Sequence, residues 1–166
     1  MAIDDHPLIV KSIAWTTEAD TQAFAAAMAT KLQAAPVYSL VIELHGDLGS
    51  GKTTFARHLL MALGVTGRIK SPTYAVVEPY TVKDAPGGPL EIWHFDFYRF
   101  NDPDEWEEAG FRDIFASHGL KLIEWPEKAG EHLPPADLEI HIEMPASEAR
   151  AVQLTAHTAA GAALLP

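Results

Sequence analysis

The chain has 166 residues, 48% of them hydrophobic, and no cysteine; it can pack one domain, and it excludes a disulfide scaffold, a cysteine nucleophile and a cysteine zinc site. Twelve basic residues face 23 acidic ones, and the formal net charge of -11 argues against tight direct binding of nucleic acid while suiting a protein partner with a basic face. No apolar run approaches the ~20 residues that cross a bilayer, and Met1 to His6 carries Asp4 and Asp5 rather than a basic leader, so the cytoplasm and no membrane contact are expected.

Leu8 to Trp15 reads as a first strand. Thr16 or Thr17 then offers a hydroxyl cap, with Glu18 and Asp20 where a helix start favours negative charge. Phe24, Met28 and Leu32 recur on one face of an amphipathic helix that runs through Gln33, and Pro36 ends it. Val37 to Leu44 is an apolar run suited to a central strand covered on both faces. Lys52 to Leu63 returns to helical spacing, with Gly64 as its stop. Ser71 to Tyr80 is expected to be a loop running into a strand, and 84–89 a turn. Leu90 to Phe97 reads as the next strand, Pro103 to Ala109 and Phe111 to Ser117 as short helices, and Leu120 to Glu124 as a short strand ending in acid. Leu138 to Met144 and Ala151 to Thr158 alternate as a closing antiparallel pair. The pattern predicts one α/β domain over 1–166, with its core at about 8–158 and a mixed sheet between helical layers.

Between the second strand and second helix stands Gly46-Asp47-Leu48-Gly49-Ser50-Gly51-Lys52-Thr53, which fits the phosphate-loop pattern G-x-x-x-x-G-K-[ST] at every fixed position. Glycines let backbone N–H groups approach phosphate oxygens, and the helix start adds its positive dipole end. Lys52 is expected at the β- and γ-phosphates and the Thr53 hydroxyl on Mg²⁺. Asp47 through Thr54 form the expected nucleotide-binding set.

Such a site needs a second acid at a neighbouring strand end. Asp96 interrupts Ile92 to Arg99, and Glu124 ends Leu120 to Glu124; each is expected as a magnesium ligand or as the group that orients water, the alternative being a turn cap or an ion pair with Arg99 or Lys121. Glu78, Glu107 and Glu108 read as surface acids. Ser71-Pro72-Thr73-Tyr74 is either a capped turn or a loop that carries Thr73 to the γ-phosphate, and spacing leaves both open. Arg99 is read first as an ion-pair partner of Asp96 or Asp102, and second as a group that stabilises transferred phosphate charge. His45, His58 and His94 share no metal-ligand spacing and read as packing or surface residues.

The phosphate loop with Thr54-Phe55, then Lys70 to Tyr74, His94 to Arg99 and Ile123-Glu124-Trp125-Pro126 occur in that order. This resembles the bacterial TsaE family, over about Ser12 to Met144, with Ser50 standing where the family usually has alanine. The resemblance implies a single-domain P-loop NTPase-like three-layer sandwich that binds ATP and Mg²⁺ and hydrolyses ATP weakly alone. It implies action on a TsaB–TsaD complex during threonylcarbamoyl transfer to adenosine 37 of tRNA, with tRNA met only through that complex. By motif match, Lys52 and Thr53 hold phosphate and metal, Glu124 ligates magnesium, and Asp96 acts on metal or water. Thr73 belongs to a switch, Trp125 neighbours the site, and Glu18 or Thr17 lies near the adenine. Arg150 is the one residue after Met144 expected to approach the nucleotide.

Three rivals remain. A nucleotide-gated module without hydrolysis fits the same acids. A GTPase reading rests on Asp84-Ala85-Pro86-Gly87 as D-x-x-G, without any N-K-x-D. A small-molecule kinase needs an arginine-bearing lid, and the five arginines are scattered singly.

Overall fold

Unbroken apolar runs become the middle of a sheet, and alternating ones its edges. The computed structural model describes residues 8–34, 39–72, 74–144 and 149–166. The strands are β1 (Ile9–Trp15), β2 (Ser39–His45), β3 (Val77–Val82), β4 (Leu90–Asp96), β5 (Gly119–Glu124), β6 (Leu138–Glu143) and β7 (Arg150–Ala156). They form one sheet in the order β1-β7-β6-β2-β5-β4-β3. β4, β5, β2 and β6 run parallel, while β3, β7 and β1 join antiparallel. The expected mixed α/β sheet is therefore present. β5, next to the central β2, is buried along its whole length.

Helices cover both faces. On one lie α1 (Glu18–Ala34) and α2 (Lys52–Ala62), packed on Ile42, Leu44, Leu122, Ile140 and Leu154. On the other lie α3 (Asp104–Glu108), α4 (Arg112–Ala116) and a 3₁₀ segment, Pro126–His132. Their core is aromatic: Phe95, Phe97, Phe100, Trp106, Phe111 and Phe115 gather with Val41 and Ile123. Strand alternation divides one run between the two layers. Phe95 and Phe97 enter the aromatic side, leaving His94 and Asp96 to face α2.

Thr17 rather than Thr16 caps α1. Its Oγ1 accepts from the Asp20 N–H at 3.3 Å, and Asp20 Oδ2 accepts from Thr16 and Thr17 N–H at 2.8 and 3.2 Å. Leu63 closes α2, and Gly64 follows at φ 102, as its position predicts. Two elements lie outside the sequence reading, the 3₁₀ segment and α5 (Ala159–Ala162). α5 is capped by Thr158, and packed chain continues past it to a buried Leu164. The readings at Met1 to His6, Pro36, Val37 to Tyr38 and Thr73 lie outside the described residues. Among the described residues no helix is long and apolar enough to cross a membrane.

Asp84 to Gly87 sits in the hairpin between antiparallel β3 and β4. That hairpin precedes β4, at the opposite end of the strand from Asp96, so it does not carry a D-x-x-G element to the phosphate loop.

Candidate functional site

β2 delivers the chain to the phosphate loop, and α2 leads away from it. Gly51 is the N-cap of α2 in a left-handed conformation, and no side chain caps the helix. The first-turn N–H groups are thus free of an internal side-chain acceptor, which is the condition for anion binding at a helix start. Two glycines are required by contact as well as conformation. A Cβ on Gly46 would lie 2.5 Å from the Ile142 carbonyl oxygen, and one on Gly51 would lie 2.9 Å from Arg150 Nε at φ 111.

Lys52 is 5% exposed. Its ammonium donates to the Gly46 carbonyl and to the Asp47 carbonyl at 3.1 Å, and it lies 4.0 Å from the centre of the Trp125 ring. Burial holds its pKa below the usual lysine value, against the opposing pull of Glu124, Glu127, Asp96 and Asp47. An anion in the loop would offset that desolvation. Trp125 itself stands in a left-handed conformation at φ 56, ahead of Pro126, a strained geometry that turns the indole under Lys52.

The two acids stand side by side. β4 and β5 pair Asp96 with Glu124 at their C-terminal ends, both buried. Thr53 Oγ1 donates to Glu124 Oε1 at 2.7 Å. Asp96 Oδ1 accepts from the Tyr98 N–H at 2.9 Å. One cleft of about 300 Å³ is lined by residues 48–54 together with Asp96, Tyr98, Glu124, Trp125 and Arg150. Asp47 belongs to the loop through its carbonyl on Lys52 but lines an adjoining recess. A hydroxyl and two carboxylates are hard oxygen donors, a set that suits Mg²⁺.

Several side chains have partners that the sequence reading did not name. His94, read as packing, is buried and donates from Nε2 to Glu124 Oε2 at 2.7 Å. Glu124 is therefore held by Thr53 through one oxygen and by His94 through the other. Alternation of His94 with Asp96 on one strand could have signalled this. Glu18 does not line the cleft; its carboxylate meets His58 Nε2 at 3.1 Å on α2, where α1 and α2 pack. Arg99 lies over the Tyr74 ring at 4.0 Å. Arg150 Nε donates to the Ser50 carbonyl at 2.6 Å, bracing the loop from β7. The Ser50 hydroxyl, placed where alanine is usual in the resembled family, is buried without a partner among the described residues.

Comparisons with known proteins place the chain in a family. Residues 15–152 match the family described as Threonylcarbamoyl adenosine biosynthesis protein TsaE. The tRNA threonylcarbamoyladenosine biosynthesis protein TsaE of Haemophilus influenzae is 43% identical over 123 residues, 74% of either chain. That of Bacillus subtilis is 34% identical over 147 residues, 89% of this chain and 87% of its own. The crystal structure of Bacillus subtilis YdiB superposes with a TM-score of 0.73 at 28% identity, covering 96% of this chain and 94% of that one. With that match spanning most of its length on a P-loop NTPase-like fold, the chain belongs to the TsaE family of threonylcarbamoyl adenosine biosynthesis proteins.

Proposed function

We propose that this protein is a magnesium-dependent ATPase of low intrinsic turnover, which supports threonylcarbamoyl transfer to adenosine 37 of tRNA by acting on a TsaB–TsaD complex. One observation carries the reading: the Thr53 hydroxyl meets the Glu124 carboxylate at 2.7 Å directly beneath the uncapped start of α2. A threonine at that loop position beside a strand-end acid is the arrangement that a nucleotide-bound magnesium ion uses.

Backbone N–H groups of 49–53 and the Lys52 ammonium bind the β- and γ-phosphates. Thr53 and Glu124 hold the magnesium ion, which when bound neutralises charge developing on the phosphates. His94 fixes the orientation of Glu124. Asp96 is the second carboxylate, directed at the metal or at the attacking water. Thr73 is assigned to a switch over the γ-phosphate. Trp125 keeps Lys52 in place between turnovers. The acidic chain leaves tRNA to the partner complex, and the cytoplasm is the compartment where both would meet it.

Steady-state phosphate release, alone and with TsaB–TsaD, tests this. Slow release that the complex accelerates, and that Glu124→Ala removes, is expected. Release unaffected by the complex would leave a nucleotide-gated module; release unaffected by Glu124→Ala would refute the site.

A further inference from the structure

The described residues gather a second set of side chains with metal-ligand chemistry on the other face of the sheet from α2, beside a recess that His45 and His141 line together with Gly46, Asp47, Leu48 and Ser50 of the phosphate loop. β2 and β6 are parallel, and their register sets Glu43 beside Glu139 and His45 beside His141. Alternate residues of a strand share a face. Leu44 and Ile140 point into the core under α1 and α2, so these four side chains project from the other face.

The His45 and His141 rings are stacked, with centroids 4.3 Å apart and planes 9° from parallel. Glu139 reaches both: Oε1 lies 3.6 Å from His45 Nε2, and Oε2 lies 3.8 Å from His141 Nε2. One ligand atom from each of the three residues falls within 4.8 Å of the other two. Ligands about 2.0–2.1 Å from a tetrahedral ion are about 3.4 Å apart, so small side-chain rotations close the site.

The surroundings have the character of an outer shell. Glu127 Oε2 faces the other nitrogen of His45, Nδ1, at 3.8 Å. His157 Nε2 donates to Glu139 Oε2 at 2.8 Å, whereas Glu43 Oε1, 3.0 Å from His45 Nε2, gives up that nitrogen when an ion binds. Burial opposes a charge on either ring, yet the Glu43 hydrogen bond and neighbouring carboxylates raise the pKa of His45, while burial and His45 lower that of His141.

We propose that His45, Glu139 and His141 bind one late first-row divalent cation of the zinc type. Two imidazoles and a carboxylate are a borderline-soft set, which favours Zn²⁺, Co²⁺ or Ni²⁺ over Mg²⁺. Three protein ligands leave a fourth position open to solvent, and His141 is 40% exposed, so the ion has an entry path. The site is distinct from the proposed magnesium site. Leu44 pairs with Glu124 on the face that meets α2, whereas His45 is turned from it. The two remain close in sequence, because His45 directly precedes Gly46.

The test uses the full chain, free of nucleotide and stripped with a chelator. Zn²⁺ is titrated by calorimetry, and Co²⁺ by its visible absorption. One equivalent is expected, with d–d bands of nitrogen–oxygen coordination, and Mg²⁺ in large excess should not displace it. Glu139→Gln, which preserves shape, and His141→Ala should each weaken Zn²⁺ at least ~10-fold. His58→Gln, on α2, serves as control and should leave it unchanged. Circular dichroism verifies that each variant is folded, and Glu139→Gln decides alone if His141→Ala is not. Absence of saturable binding, displacement by Mg²⁺, or equal affinity in Glu139→Gln would overturn the proposal.

Discussion

The phosphate cleft and the histidine–glutamate cluster flank the C-terminal end of β2 on opposite faces of the sheet, and they are assembled differently. The cleft rests on a run of eight consecutive residues, Gly46 to Thr53, completed by acids at the ends of β4 and β5. The cluster has no such run. Its members come from β2, β6 and the end of β7, brought together by register alone. A backbone cradle needs consecutive residues because its donors are successive N–H groups. A side-chain cluster needs only matching strand positions.

If the two sites are separate, substitutions in one should spare the other. The largest effect is expected at Glu124. Glu124→Gln keeps the volume but removes the charge facing Thr53, and phosphate release should fall ~100-fold or more. Zn²⁺ affinity should be unaltered; a parallel loss would mean that one metal site had been counted twice. His94→Ala comes next. With Glu124 released on one side, the apparent magnesium affinity of turnover should fall ~10-fold, and excess Mg²⁺ should recover part of the rate. A loss that Mg²⁺ cannot relieve would reduce His94 to a packing role.

Arg150→Ala removes the hydrogen bond to the Ser50 carbonyl. Nucleotide affinity should weaken several-fold, in line with about 1 kcal/mol for such a bond, measured by calorimetry with ADP and Mg²⁺. Glu18→Ala is the smallest. Its side chain is 74% exposed and lies outside the cleft lining, so affinity should change less than twofold. A tenfold loss there would support an adenine-side role for the start of α1.

What could be read in advance follows the same division. An acid interrupting the run Ile92 to Arg99 and an acid ending the run Leu120 to Glu124 singled out both carboxylates, because strand length and apolar runs are local properties. The wholly buried Lys121 of β5 was not anticipated; its ammonium donates to the Ser117 carbonyl and to Ser39 Oγ, partners that only the fold supplies. The link from His94 to Glu124 crosses from β4 to β5. The histidine cluster was missed because His45 was weighed against His58 and His94, whereas its neighbour across β2 and β6 is His141. The 3₁₀ segment hid behind Pro126 and a kink at Gly130 (φ 59), which break helical periodicity.

The central claim is that amides, one ammonium and one hydroxyl hold a nucleotide phosphate with magnesium. Titration of purified protein with a non-hydrolysable ATP analogue, with and without Mg²⁺, beside folded Lys52→Ala, tests it most directly. Saturable binding that strengthens with Mg²⁺ and falls ~100-fold in Lys52→Ala is the predicted result. Equal affinity in Lys52→Ala, or no Mg²⁺ dependence, would contradict it.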